Sequence, residues 1–195
     1  MPEYAYKMTD GTMRCRGKQY EPNVWYEESE ANCVQNGFHV AKNPLDCLSY
    51  YPVFNNSQCW IVEIGGDVDE DSIDSKVSAT RICFRKRLTL PAFIQMACIW
   101  ILKHPEMPYN HNVTEGPAES NHNHFAISVG EDPKGRGKLG DVLGILKTYP
   151  GSREIEKATC FVVDGKTYKP DTWYDADGNE IPPKWPDAGG SWGWT

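Results

Sequence analysis

The stretch Pro91-Ala92-Phe93-Ile94-Gln95-Met96-Ala97-Cys98-Ile99-Trp100-Ile101-Leu102-Lys103 decides how this chain is read. It is apolar on nearly all sides, and a helix without a polar face has to be buried. The apolar run is broken by Gln95 and is too short to cross a bilayer. The helix therefore needs a sheet on which to pack. Residues 3–8, 13–16, 24–26, 38–40, 59–64 and 76–84 supply it, as short segments of strand character. Two further helices are expected between them. Residues 29–37 begin with a Ser cap and end at Gly37, and residues 45–51 follow the cap Asn43 and Pro44. Gly65-Gly66 is expected to end the strand 59–64, and residues 67–74 read as an acidic loop.

Composition changes at His104. Residues 105–124, rich in His, Asn, Pro and Glu, read as a linker or long loop. Beyond them, residues 125–129 and 142–147 read as strands. Residues 160–163 and 166–168 form a hairpin about Asp164-Gly165, and a second turn falls at Asp177-Gly178. The expected architecture is α+β. Residues 1–104 form a mixed or antiparallel sheet with a buried helix, and residues 125–195 form a smaller β-rich unit with a Trp-rich tail.

With 39 % hydrophobic and 24 % charged residues, the chain belongs among globular rather than disordered proteins. The net charge of −7 argues against a general nucleic-acid binder, which needs a basic stripe to neutralise phosphates. Arg81, Arg85, Lys86 and Arg87 form a basic cluster that reads as a solvated strand end. Seven cysteines, an odd number without Cys-x-x-Cys spacing, suggest neither a disulfide framework nor a zinc ribbon. Cys47, Cys83, Cys98 and Cys160 sit in apolar runs and read as core residues. With an N-terminus lacking a signal pattern, this usage points to a reducing, cytoplasmic setting.

One set of motifs carries a family resemblance. It comprises Tyr6-Lys7, Met13-Arg14-Cys15-Arg16-Gly17 with Gln19-Tyr20-Glu21, Gly37-Phe38-His39, Asn43-Pro44-Leu45-Asp46 and Tyr50-Tyr51. Cys33 ahead of Gly37, Val62-Glu63 with Gly66, then Asp74-Ser75-Lys76-Val77 and Ala79-Thr80, complete it. These residues resemble an uncharacterised domain family of bacteriophage and prophage proteins, over about residues 4–103. The resemblance implies a phage-encoded accessory role and brings no activity with it.

The expected function is therefore binding. A viral protein of this kind inhibits a host protein or nucleoprotein complex, such as a CRISPR–Cas nuclease. The acidic residues Asp67, Asp69, Glu70 and Asp71 would compete for a basic channel, and Trp185, Trp192 and Trp194 would anchor the interface. Neither a membrane nor direct sequence-specific nucleic-acid binding is expected, and no cofactor. An alternative is enzymatic. The order of elements is similar to that of ADP-ribosyltransferases, which implies NAD as substrate, with His39, Tyr50 and Tyr51 around it and Glu63 stabilising an oxocarbenium-like state by charge. Cys33 or Cys59 beside His39 is a third arrangement, of the thiol nucleophile type. His111, His122 and His124 are candidate metal ligands, because His-x-His on an extended segment turns both rings to one face. Asp175 to Glu180 opens like a calcium loop but lacks its closing glutamate, so it reads as a turn.

Overall fold

The computed structural model describes residues 2–33, 35–51, 56–70 and 75–182. Its first unit is built from β1 (Glu3–Asp10), β2 (Arg14–Cys15), β3 (Lys18–Gln19), β4 (Trp25–Glu27), β5 (Phe38–Ala41), β6 (Ser57–Glu70) and β7 (Lys76–Leu88). The helix α1 (Leu90–Lys103) follows. The second unit holds β8 (Val113–Glu115), β9 (Ala118–Glu119), β10 (Phe125–Gly130), β11 (Gly135–Arg136), β12 (Val142–Thr148), β13 (Ile155–Val162), β14 (Trp173–Tyr174) and β15 (Glu180–Ile181). The fold class is α+β, with one buried α-helix among several sheets.

The main sheet of the first unit is antiparallel throughout and closes on itself. β7 pairs with β6 along one edge and with β5 and β4 along the other, while β1 joins β5 to β6. Closure through β6, β7, β5 and β1 pairs both sides of those strands, while β4 remains an edge strand on β7. Its own core is aromatic: Tyr20 packs against Tyr26, Phe38 and Phe84, and Trp60 meets Phe84 edge-on.

The long β6–β7 ribbon is possible because Gly65-Gly66 does not end the strand. The register shifts between Gly65 and Val68 instead, and pairing resumes. Gly66 has φ +75°, and a Cβ there would lie 2.0 Å from Thr80 Oγ1. That hydroxyl accepts the Asp67 N–H at 2.9 Å, so the bulge is satisfied rather than frayed. The acidic stretch is consequently strand as far as Glu70. Residues 71–74 lie outside the described residues.

α1 joins the two units. Thr89 caps it through a bond from Ala92 N–H, and Pro91 stands in its first turn, where no donor is needed. Phe93, Ile94, Ala97, Cys98 and Ile101 are buried between Met8, Leu45, Cys59 and Leu88 of the first unit and Phe125, Ile127, Val142 and Leu146 of the second. Burying side chains of this size contributes roughly 1.5–3 kcal/mol each. β10 is the parallel centre of the second unit's larger sheet, with β8 on one side and β12, then β13, on the other.

Several local expectations are corrected. Among the described residues of 29–37 there is no helix. Asn32 and Asn36 bridge one another, and Gly37 turns the chain at φ +87° into β5. A Ser cap and a Gly stop were present, but no apolar stripe at helical spacing lay between them. The helix expected over 45–51 is a short 3-10 helix, Pro44–Ser49, with Asn43 capping Leu45 N–H. Residues 105–124 carry β8 and β9. Residues 166–168 pair with no strand. Asp164 Oδ1 accepts the N–H groups of Lys166 and Tyr168 and holds a tight turn, while β13 runs along β12. The turn at Asp177-Gly178 does form, between β14 and β15, with Asp175 Oδ1 accepting from Asp177 and Asn179.

Candidate functional site

A cavity of about 500 Å³ opens in the first unit, and it gathers residues far apart in the sequence. β1 contributes Tyr6, Lys7 and Met8, and the β5 region contributes Gly37 to Ala41. The β2–β3 hairpin brings Cys15, Arg16 and Lys18, and the 3-10 turn with its exit brings Asp46, Cys47, Tyr50 and Tyr51. Glu28 and Lys76 also line it.

Local chemistry explains each wall. The hairpin turns through Arg16 (φ +49°) and Gly17 (φ +80°), the pair of left-handed residues of a type I′ turn. Arginine in that conformation is uncommon, and here it sits at the cavity. Gly37 is needed where it stands. A Cβ would lie 2.4 Å from Ser78 Oγ, which donates to Asn36 O. The 3-10 turn is tied down by Asp46. Its carboxylate accepts from Ser75 Oγ at 2.6 Å and from Asn110 Nδ2 at 2.7 Å.

Four cationic side chains, Lys7, Arg16, Lys18 and Lys76, face two carboxylates, Glu28 and Asp46. Lys18 holds Glu28 at 3.1 Å, and its ammonium lies 4.4 Å from the Phe38 ring centroid. Lys76 lies 5.3 Å from the Tyr50 ring centroid. Arg16 has no ion pair among the described residues. Lys7 is 7 % exposed and donates to His39 O at 2.7 Å. Burial lowers its pKa, and Arg16 adds to the effect. Burial also lowers the pKa of His39, reinforced by Arg16, Lys7 and Lys76, so its imidazole is neutral at pH 7. Tyr51 is pushed upward by burial and by its bond with Cys15. Burial raises Cys47 to about 12, which leaves that thiol protonated.

His39, Tyr50 and Tyr51 thus share one cavity. Glu63 does not line it. It stands on β6, where Arg85 holds its Oε2 through Nε at 2.8 Å and Nη2 at 2.7 Å. Cys59 is fully buried in the core and raised well above the ordinary thiol range, and Cys33 lies outside the cavity, its N–H bound to Asp69 at 2.7 Å. The thiol-nucleophile arrangement is therefore not assembled with His39. Asp67, Asp69 and Glu70 lie on the outer part of β6, with Glu70 held by Lys42 at 2.6 Å. Asp71, Trp185, Trp192 and Trp194 lie outside the described residues. The three histidines do not converge. His124 bonds Asp141 at 3.0 Å and His111 bonds Asn112 at 3.1 Å, and no metal-holding group of His, Cys, Asp or Glu occurs among the described residues.

The cationic residues escaped the sequence reading because they come from four segments. One signal was available: alternation in residues 3–10 sets Lys7 in phase with Ala5 and Thr9, both buried.

Among the described residues, no helix is long and apolar enough to cross a membrane. No curated protein and no solved structure matches the chain. Residues 4–96, which include the cavity, match a family model described as a domain of unknown function, DUF7666.

Proposed function

We propose that this chain is a ligand-binding protein whose cavity takes a small anionic molecule bearing a planar ring, of the nucleotide class. One observation carries the reading: in a protein of net charge −7, Lys7, Arg16, Lys18 and Lys76 line a single cavity with two carboxylates, Glu28 and Asp46, which leaves an excess of basic groups there. Concentrated positive charge of this kind attracts an anion, and low-dielectric walls strengthen the attraction. Tyr50, exposed beside Lys76, supplies a face for stacking. The test is a thermal-shift series with adenosine, ADP and NAD. A ligand that binds only the folded state raises its melting temperature. ADP and NAD should stabilise the protein and adenosine should not. Equal silence from all three would refute the reading.

The transferase alternative stands second, favoured by the convergence of His39, Tyr50 and Tyr51. Because Glu63 is bound to Arg85 and faces no part of the cavity, that chemistry would have to proceed without it. Its test is NAD-dependent release of nicotinamide. The counter-defence inhibitor role of a phage accessory protein remains a proposal resting on the phage-type resemblance and the acidic end of β6. A stoichiometric host complex, weakened in a variant with Asp67 and Asp69 changed to Asn, is its expected result.

A further inference from the structure

Within the cavity, Lys7 differs in kind from the other cations. Lys18 and Lys76 sit beside aromatic rings near solvent, and Arg16 stands on an exposed turn. Lys7 is 7 % exposed, on β1, in the central part of a closed sheet. It has no ion pair among the described residues, and its single hydrogen bond, at 2.7 Å, goes to a backbone carbonyl, that of His39. Glu28, the lining carboxylate whose charge it feels, is already held by Lys18. A buried ammonium without a counter-ion is costly, and the usual escape is loss of its proton. Burial drives the Lys7 pKa down and Arg16 adds to it, outweighing the opposing effects of Cys15, Cys47 and Glu28. A buried amine that gives up its proton more readily than an ordinary lysine, in a cavity that also presents Arg16 and Lys18, is a stronger nucleophile than an exposed one.

We infer that Lys7 captures a carbonyl group: its Nζ condenses with the aldehyde or ketone of a small phosphorylated ligand, while Arg16, Lys18 and Lys76 hold the phosphate. This rests on the reading of the cavity as an anion site and narrows its ligand class. The nitrogen lone pair attacks the carbonyl carbon, a C–N bond forms, and the oxygen takes up the proton that the nitrogen gives up. The hydroxyl then departs as water with the second nitrogen proton, leaving the C=N bond of an imine. Amine and carbonyl are consumed and imine and water are made, so no oxidant or reductant is required.

The test uses pyridoxal 5′-phosphate as probe, because it carries an aldehyde, a phosphate and a planar ring. The whole chain is incubated with it, reduced with borohydride, digested and mapped by mass spectrometry. The expected result is one adduct per chain, on Lys7, formed at least tenfold faster than on exposed Lys103 or Lys166 and slowed by ADP. Unphosphorylated pyridoxal should react at least tenfold more slowly at that position. Lys7→Arg, checked for an unchanged melting profile, should lose the adduct. Lys7→Met serves the same purpose if the arginine variant fails to fold. Labelling spread evenly over the exposed lysines, or confined to Lys18 and Lys76, overturns the inference. If ADP stabilises the protein but Lys7 stays unlabelled, the anion site survives and the imine falls. If ADP has no effect either, both fall.

Discussion

Lys7 Nζ donates a 2.7 Å hydrogen bond to the carbonyl oxygen of His39, joining β1 to β5 beside the cavity. This bond holds a nearly buried amine against the backbone of His39, whose imidazole pKa burial lowers. Burial lowers the pKa of both groups, and Arg16 adds to the effect on each.

The first prediction concerns pH. The folded-state pKa of Lys7 lies below its ordinary 10.5, so between those two values the unfolded chain binds more protons than the folded one. Stability from this group therefore rises as pH rises through that window. Lys42, Lys147 and Lys169 act oppositely: their carboxylate partners raise their pKa, and that stability is lost at high pH. The comparison must be made against Lys7→Met. Wild type should gain on the variant as pH climbs from 7 towards 10 in thermal unfolding, and parallel curves would contradict this.

A second prediction lies in the other unit. Burial pushes Asp141 upward, but bonds from Ser120 Oγ, Lys138 N–H and His124 outweigh it and hold its pKa below 3.8. Its stabilisation is present above the unfolded value and is lost as pH falls through the folded one. Asp141→Asn should cost about 1–3 kcal/mol near neutrality and flatten the acid limb of the stability curve. Urea unfolding at pH 7 and pH 3 measures both.

Phe93 is fully buried where the two units meet. Phe93→Ala should destabilise the fold by about 3–5 kcal/mol. Because α1 packs on both units, sheet signals from each should melt together in the variant. Loss confined to one unit would show that α1 does not couple them.

At Gly37 two costs combine: φ of +87°, and a Cβ 2.4 Å from Ser78 Oγ. Gly37→Ala should lose more than the roughly 1 kcal/mol of an ordinary left-handed glycine replacement. The double variant with Ser78→Ala should recover only the Ser78 clash, because Ala31 Cα and Ala79 O stay 3.1 Å from the added Cβ and the Ser78–Asn36 bond is lost. Chemical denaturation of the three proteins checks the ordering.

The sequence made α1 legible because thirteen residues from Pro91 carry one polar side chain before their final lysine. Most strands of the first unit and the β14–β15 turn were legible for similarly local reasons, whereas β3 and the outer half of β6 were not. Residues 29–37 misled because cap and stop signals say where a helix would begin and end, not whether a buried face pays for it. The 160–168 hairpin misled because Asp-Gly fits two kinds of turn, and β13 found a longer partner in β12. Tyr50, Tyr51 and His39 were singled out as a group, and they do share a cavity. Glu63 was placed with them by order along the chain, whereas strand pairing sets it beside Arg85. The cations were illegible as a site because only sheet closure brings Lys7, Arg16 and Lys76 together.

The most direct measurement is isothermal titration of the whole chain with ADP, set beside adenosine and repeated with Arg16→Ala. Arg16 is exposed on a turn, so its replacement leaves the core untouched. Saturable one-to-one binding of ADP, weakened at least fivefold in Arg16→Ala and by added salt, with no heat from adenosine, is the predicted result. Adenosine binding as tightly as ADP, or ADP binding indifferent to Arg16 and to salt, would contradict an anion site in this cavity.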